Sequence, residues 1–232
     1  MLLRSTAALT GTDLAVRSVE EKPYRKGPKA PFITSSLQQE AGNKLRLSAG
    51  EVMRIAQGLY ESGFITYMRT DSVTLSNDAI ASARRVIEGS YGKDYLPDAP
   101  RTYKSSAKNA QEAHEAIRPT DLALKPDALR QLKEEERRLY ELVWKRTLAS
   151  QMESAVLDQV AVDISGSGVG LRATGSVIAF DGFLKLYQET NDEEAEKTDP
   201  TAEDSERRLP PLGEGESLDR RRVAPEQHFT QP

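Results

Sequence analysis

The sequence predicts an α+β protein in which a mainly helical domain is inserted into an antiparallel β-rich domain. Residues 11–22 carry an extended pattern near the start of the chain, and a helical pattern covers residues 34 to about 150. Beyond this point apolar residues alternate with polar ones, which is typical of antiparallel strands. Strands from both ends of the chain are therefore expected to pair. We assign residues 1–30 and 151–232 to the β-rich domain and residues 31–150 to the helical domain.

Helix caps mark the first half of the helical domain. Two serines precede a short helical stretch, LQQEA. Ser48 and Glu51 then form an S-x-x-E capping box, which predicts a helix that ends near Gly63. The next residues, FITYM, are rich in β-branched and aromatic side chains and predict a short strand over residues 64–68.

A tyrosine and an arginine lie two positions apart at the end of this predicted strand. Alternate side chains of a strand share one face, so Tyr67 and Arg69 are expected to point the same way, a phenol beside a fixed positive charge. Two simpler interpretations stay open. A strand tyrosine is often a half-buried packing residue, and Arg69 has an acidic neighbour in Asp71 with which a surface ion pair would form.

The second half of the helical domain continues with further cap signals. Ser76 is expected to cap a helix that runs to about Glu88, and a polar loop follows from residue 89 to about 124. Pro126 suits the first turn of a short helix. A longer helix is predicted from residue 134 to about 150, with its leucines and Val143 facing inward.

The β-rich domain is predicted from period-two alternation. One strand covers residues 160–164, the turn SGSG follows, and a second strand covers residues 169–180. A third strand is predicted over residues 183–188. The acidic stretch at 189–208 has a composition that predicts disorder. A last short strand is expected around residues 217–223.

Composition separates a mildly basic body from this acidic segment. The 232 residues carry a net charge of −4, but residues 189–206 alone hold nine acids and one lysine. The rest of the chain has 31 basic and 27 acidic side chains, a balance compatible with a polyanionic partner. There is no cysteine, which excludes disulfides and thiolate metal sites.

Targeting and metal signals are absent from the sequence pattern. No apolar run approaches the roughly 20 residues of a membrane helix, and the first residues are too polar for a signal peptide. His114 and His228 lie far apart and do not indicate a metal pair. We therefore expect a cytoplasmic protein without membrane contact and without metal ligands in this chain.

Four stretches, in order along the chain, resemble the type IA DNA topoisomerases. GFITYMRTDS at 63–72 is similar to the active-site motif of that family, and Met68 is typical of its bacterial topoisomerase I branch. The other three resemble, in order, the start of the tyrosine-bearing domain, the nucleotide-contacting loop and the β-rich arch. They are PFITSSLQQEA at 31–41, QEAHEAIRPT at 111–120 and DGFLKLY at 181–187.

The resemblance implies a helix-turn-helix-like tyrosine domain inserted into an arch domain. It also implies an enzyme that cuts one DNA strand by tyrosine attack and holds the 5′ phosphate covalently. The enzyme then passes the other strand through the gap and reseals the break, which relaxes negative supercoils. By matching position, Tyr67 would be the nucleophile and Arg69 would help hold the scissile phosphate. His114, Arg118 and Thr120 would contact a single-stranded segment of DNA.

A tyrosine beside an arginine suits this chemistry. A free phenol has a pKa near 10, so only about 0.1% is phenolate at neutral pH. An adjacent guanidinium favours the phenolate and grips phosphate through paired hydrogen bonds. Arginine is always charged and cannot accept the proton, so a base and a metal are still required.

The resemblance also implies parts of the enzyme that this chain lacks. The Toprim domain, with the acidic D-x-D motif and the Mg²⁺ site, should precede the arch, and a region that completes the DNA gate should follow it. We therefore expect a monomeric fragment of a larger enzyme, inactive alone, whose Mg²⁺ ligands lie outside this chain. The alternative is a noncatalytic winged-helix-like DNA-binding module in which Tyr67 is structural.

Overall fold

The computed structural model describes residues 14–104, 115–166, 169–187 and 212–218. His114 and the acidic stretch at 189–208 therefore lie outside the described residues, as do residues 219–223 of the last candidate strand. The described residues fall into two compact units. One unit contains residues 14–24, 156–179 and 212–218, and the other contains residues 25–104, 115–155 and 180–187. The domain boundaries given above stay a prediction.

The β unit is built on a four-stranded antiparallel sheet with the strand order β3–β2–β1–β4. The strands are β1 (Leu14–Lys26), β2 (Ala155–Gly166), β3 (Val169–Phe180) and β4 (Ser217–Leu218). Leu14 lies opposite Leu218 and Ala15 opposite Ser217. This register confirms that strands from both ends of the chain pair.

Alternation places the apolar side chains of this sheet on one face. Val16, Val160 and Val162 form its buried core, and Val19 and Ile164 pack against them. Residues two apart on a strand share a face, which is why Val160, Val162 and Ile164 reach the same core.

The helical unit contains four α-helices and three 3₁₀ turns among the described residues. The α-helices are α1 (Thr34–Leu45), α2 (Ala49–Glu61), α3 (Asn77–Tyr91) and α4 (Glu134–Ala149). The 3₁₀ turns are Lys93–Tyr95, Pro126–Ala128 and Gly182–Lys185. Helix α4 packs against the other three helices and is buried along most of its length. Among the described residues, no helix is both long and apolar enough to cross a bilayer.

The caps predicted at Ser48 and Ser76 are confirmed, whereas the two serines before LQQEA do not cap α1 but lie inside it, because its N-cap is Ile33. The Glu51 N–H donates to Ser48 Oγ at 3.3 Å and the Ser48 N–H donates to Glu51 Oε2 at 2.8 Å, which completes the capping box of α2. The Ala79 N–H donates to Ser76 Oγ at 3.3 Å at the start of α3. Helix α1 is longer than predicted, because it begins at Thr34 and continues to Leu45.

Two predicted strands are wrong. Residues 64–68 form only one bridge, between Ile65 and Pro119, because their other hydrogen bonds go to different parts of the chain. Residues 183–188 begin as a 3₁₀ turn instead of a strand. Phe183 and Tyr187 are both buried and the Tyr187 N–H donates to the Phe183 carbonyl at 3.0 Å. Apolar residues four apart on one face indicate a helical turn.

A buried polar cluster holds this turn against the helices of the same unit. Tyr187 Oη donates to Glu40 Oε1 at 2.7 Å, and Lys44 Nζ pairs with the same oxygen at 3.1 Å. The Arg146 guanidinium lies 4.9 Å from the centroid of the Phe32 ring and 5.4 Å from that of Tyr187. Burial alone would raise the pKa of Glu40. The bonds from Tyr187 and Lys44 and the charges of Lys44 and Arg146 outweigh burial and hold the pKa below its ordinary value of 4.5.

We expect Glu40→Gln to destabilise the chain in a pH-dependent way. A carboxyl with a lowered pKa contributes stability above its unfolded pKa, and this contribution is lost as pH falls through the folded value. The variant should therefore lose about 1–2 kcal/mol of unfolding free energy at pH 7, and the gap to the unmodified chain should narrow below pH 4.5. Urea unfolding at pH 7 and pH 4 measures both values.

The matched control is Glu88→Gln, because Glu88 is exposed on α3. It should change stability by less than about 0.5 kcal/mol at either pH. An equal loss for Glu40→Gln at both pH values would contradict the assigned role of its charge.

Candidate active site around Tyr67

The segment that carries Tyr67 leaves helix α2 through a glycine. Gly63 has a φ of 79°, a left-handed conformation that glycine adopts without steric cost. The Gly63 N–H donates to the Tyr60 carbonyl at 2.9 Å and the Phe64 N–H donates to the Leu59 carbonyl at 2.8 Å. These bonds close the helix and direct the chain into the extended segment of residues 64–70.

Residues 115–120 hold the first part of this segment. The Thr66 N–H donates to the Arg118 carbonyl at 2.9 Å, and the Arg118 N–H donates back to Thr66 Oγ1 at 3.0 Å. Thr66 Oγ1 also donates to the Ala116 carbonyl at 2.7 Å. The Thr120 N–H donates to the Phe64 carbonyl at 3.0 Å. The backbone is therefore fixed directly before Tyr67.

Thr34, at the start of α1, holds the part that follows Tyr67. Its hydroxyl donates to the Met68 carbonyl at 2.8 Å, and it accepts the Thr70 N–H at 2.9 Å. The Thr34 N–H donates to the Thr70 carbonyl at 3.0 Å. The tyrosine segment is thus held on both sides by residues distant in sequence.

These bonds decide which side chains are exposed. Ile65, Met68 and Thr70 are buried, whereas Tyr67 is 43% exposed and Arg69 is also exposed. The structure therefore presents a phenol and a guanidinium two positions apart at the surface of this unit. The exposure arises from hydrogen bonds to two separate partners instead of from a continuous strand.

The surroundings of the two side chains differ. The Tyr67 ring meets the ring of Tyr60 edge to face, with 5.3 Å between centroids, and Tyr60 is itself 41% exposed. Arg69 has no hydrogen-bond or ion-pair partner among the described residues, so the alternative of a surface pair with Asp71 is not formed. The N–H donors of its guanidinium are therefore not used by any described residue, and an anionic ligand can bind them.

Arg118 and Thr120 form internal bonds in this structure. Arg118 Nη2 and Nε donate to Glu115 Oε2 at 2.6 and 3.1 Å, and Nη1 donates to the Pro119 carbonyl at 2.9 Å. Thr120 Oγ1 donates to the Gly63 carbonyl at 2.6 Å. The Thr120 side chain therefore holds the start of the tyrosine segment, whereas the Arg118 side chain bonds within residues 115–119. Their roles in DNA contact stay predictions, and His114 lies outside the described residues.

Glu115 links this brace to helix α3. Its Oε1 accepts the N–H of Ser76, the cap residue of α3, at 2.7 Å. Burial would raise the pKa of Glu115, but the bonds from Arg118 and Ser76 outweigh burial and lower it. The carboxylate stays charged at neutral pH and joins the cap of α3 to residues 115–120, which hold Thr66.

Sequence reasoning missed Thr34, Thr66 and Glu115 as parts of the site. All three lie inside quoted motifs, but their type and spacing give no sign of their hydrogen-bond partners. Within the part of the chain that the structure describes, no group of three or more His, Asp or Glu side chains is arranged to hold a metal ion. These residues do not fit a Mg²⁺ site.

Comparison with known proteins agrees with the motif resemblance. The sequence profile of the DNA topoisomerase family matches residues 3–232. The chain is 49% identical over 238 residues to the DNA topoisomerase 1 of Rickettsia felis, which covers 98% of this chain and 30% of that protein. It is 51% identical over 235 residues to the DNA topoisomerase 1 of Mycobacterium tuberculosis, which covers 97% of this chain and 25% of that protein.

A solved structure shares the fold. The full-length topoisomerase I of Thermotoga maritima is similar with a TM-score of 0.71 and 31% identity, over 93% of this chain and 34% of that chain. The chain thus spans about a quarter to a third of the length of these relatives. With a profile match over nearly its whole length and about half of its residues identical to bacterial relatives, the chain belongs to the type IA DNA topoisomerase family, in the branch of bacterial DNA topoisomerase I.

Proposed function

We propose that this chain supplies the nucleophile of an enzyme that cuts and reseals one DNA strand, and so relaxes negative supercoils. Tyr67 attacks a phosphodiester and forms a 5′-phosphotyrosine link, and Arg69 holds the scissile phosphate. One observation carries the proposal: an exposed phenol and an exposed guanidinium without a partner among the described residues lie two positions apart, in a segment whose backbone is held on both sides. Family membership supports it.

The proposed reaction is a reversible transfer of a phosphoryl group. The Tyr67 oxygen forms a bond to phosphorus, the bond from phosphorus to the 3′ oxygen breaks, and that oxygen leaves with a proton. The phenol proton passes to a base, which cannot be Arg69 because a guanidinium has no free acceptor. Arg69 stabilises the charge on the nonbridging oxygens. Attack by the 3′ hydroxyl on the phosphotyrosine reverses each bond change and reseals the strand.

The fixed backbone is the contribution of the fold to this step. An attacking oxygen must lie about 3–3.5 Å from phosphorus and in line with the leaving group, and small errors of position are costly. Bonds from Thr34 and Arg118 to the neighbours of Tyr67 restrict its backbone before DNA arrives. The same bonds restrict the backbone next to Arg69, which holds the scissile phosphate (the phosphate clamp).

The other parts of the proposal concern the whole protein. Residues 31–150 would form the tyrosine domain, and residues 1–30 and 151–232 part of a β-rich arch. His114, Arg118 and Thr120 would contact a single-stranded segment of DNA. The enzyme would act as a monomer in the bacterial cytoplasm with Mg²⁺, whose ligands would come from outside this chain, together with the proton-transfer groups.

The alternative function is a noncatalytic winged-helix-like DNA-binding module. In that case Tyr67 would be a structural side chain packed into the domain. Its exposed fraction of 43%, with an exposed Arg69 two positions away, favours the catalytic function instead.

A segment exchange tests the proposed function. The matching quarter of the Mycobacterium tuberculosis DNA topoisomerase 1 is replaced by this chain to give a full-length hybrid. The hybrid is expected to relax negatively supercoiled plasmid in the presence of Mg²⁺. After a denaturant quench it should carry DNA on Tyr67 through a 5′ phosphate, while the isolated chain leaves the plasmid supercoiled. Peptide mapping that places the DNA on another residue, or a folded hybrid without adduct, would refute the proposal.

A further inference from the structure

We propose that Thr34 is a positioning residue for the cleavage step, because its hydroxyl fixes the backbone on both sides of Arg69. The inference rests on the proposed function and adds a residue that is distant in sequence from the tyrosine motif. Thr34 touches neither reacting atom. It would act by setting the direction in which Tyr67 and Arg69 leave the surface.

The Thr34 hydroxyl both donates and accepts. Its oxygen lies 2.8 Å from the Met68 carbonyl oxygen and 3.1 Å from the Thr70 carbonyl oxygen, so both acceptors are within reach of its single proton. The Thr70 N–H donates to the same oxygen at 2.9 Å, and the Thr34 N–H donates to the Thr70 carbonyl at 3.0 Å. A hydroxyl can donate one bond and accept two, so this arrangement is specific to a Ser or Thr at position 34.

Thr34 is itself held firmly. Phe32, two positions before Thr34, is fully buried, and its carbonyl accepts the Ile117 N–H at 2.9 Å. On the other side, Leu37 is fully buried and its N–H donates to the Ile33 carbonyl at 2.9 Å, in the first turn of α1. Buried residues on both sides therefore fix the position of Thr34, and its hydrogen bonds to Met68 and Thr70 hold residues 68–70 against the core.

The geometry explains why the hydrogen bonds of the Thr34 hydroxyl matter to Arg69. Met68 and Thr70 are buried on either side of the exposed Arg69, and both are bonded to one hydroxyl. Without that hydroxyl, the part of the segment before Tyr67 keeps its bonds to residues 115–120, but residues 68–70 keep only the bond from the Thr34 N–H to the Thr70 carbonyl as their link to Thr34. The phosphate clamp after Tyr67 would then move relative to the nucleophile. A displacement of about 1 Å in such an arrangement costs on the order of 100-fold in rate.

The test compares Thr34→Val with Thr34→Ser in the hybrid enzyme. Valine has nearly the shape of threonine but no hydroxyl, whereas serine keeps the hydroxyl. Thr34→Val is expected to slow single-turnover formation of the Tyr67 adduct about 10-fold to 100-fold, with DNA affinity within about threefold. Thr34→Ser should restore most of the rate. If Thr34→Val does not fold, the same measurements are made on Thr34→Ala, which also lacks the hydroxyl.

Thr147→Val is the matched control for loss of a threonine hydroxyl. Thr147 is fully buried in α4 and its Oγ1 donates to the Val143 carbonyl at 2.8 Å, within one helix. Its variant should leave the adduct rate unchanged. An adduct rate for Thr34→Val within twofold of the unmodified hybrid would overturn the inference. A Thr34→Ser rate as slow as that of Thr34→Val would do the same.

Hydrogen exchange of the isolated chain separates this inference from the proposed function. In Thr34→Val the Thr70 amide should exchange at least about 10-fold faster, because it loses its acceptor. The Thr66 amide, bonded to the Arg118 carbonyl, should be unchanged. If the unmodified hybrid forms no adduct, the proposed function fails. The exchange rate of the Thr70 amide then tests by itself whether the Thr34 hydroxyl holds this backbone. An unchanged rate in Thr34→Val would overturn the inference.

Discussion

Tyr67→Phe is expected to abolish the covalent adduct between the protein and DNA. The change removes the proposed nucleophilic oxygen but keeps the ring, including its edge contact with Tyr60 at 5.3 Å between centroids. We expect adduct formation by the hybrid enzyme to fall by at least about 1,000-fold, as for loss of a covalent nucleophile. Because Tyr67 is 43% exposed, the free energy of unfolding should change by less than about 1 kcal/mol.

Tyr60→Phe is the matched control for this prediction. It removes the same hydroxyl from an adjacent tyrosine with nearly equal exposure, 41%. Adducts are trapped with denaturant and counted on labelled DNA, and DNA affinity is measured by titration. Tyr60→Phe should keep the adduct. If the adduct persists in Tyr67→Phe and disappears in Tyr60→Phe, the neighbouring tyrosine is the nucleophile.

Gly182→Ala should cause the largest loss of stability of any single methyl addition proposed for this chain. Gly182 has a φ of 48°, and a Cβ built there would lie 2.6 Å from the Glu153 carbonyl oxygen and 2.6 Å from the Ser154 carbonyl carbon and oxygen. The close atoms are backbone, and the Phe183 N–H donates to that Glu153 carbonyl at 2.9 Å. We expect a loss of about 2–4 kcal/mol from the strained φ and the overlap.

Urea unfolding of the chain measures this loss, and Gly89→Ala is its control. Gly89 lies in α3, and a Cβ there would have no neighbour within 4 Å. Its replacement should stabilise the chain by up to about 1 kcal/mol through helix propensity. A loss below about 1 kcal/mol for Gly182→Ala would show that the two backbone segments separate easily.

Local sequence signals were sufficient to predict most helices and the strand over residues 169–180. The caps at Ser48 and Ser76 predict helices that the structure begins at Ala49 and Asn77. Alternation predicts a strand over residues 169–180, which is where β3 lies. These signals come from residues one to four positions apart, so neighbouring side chains and the backbone period are enough to read them.

The tyrosine segment shows where local signals fail. Its β-branched and aromatic residues predict a strand, yet residues 64–70 divide their bonds between Arg118 and Thr34. Tyr67 and Arg69 are both exposed, but the strand from which their common direction was predicted is not formed. Residues 183–188 fail in the same way, because burial of Phe183 and Tyr187 in the helical unit makes a turn more favourable than a strand.

The sequence by itself determined the family motif, most of the helix starts and the choice of Tyr67 and Arg69 as candidates for chemistry. Only the tertiary structure decided what holds them in place. Thr34 bonds to Met68 across 34 positions, and Thr66 bonds to Ala116 across 50. It also decided that Glu115 accepts the N–H of Ser76, 39 positions away. A hydrogen bond depends on distance and direction between its two atoms, and for residues so far apart along the chain only the packed fold sets both.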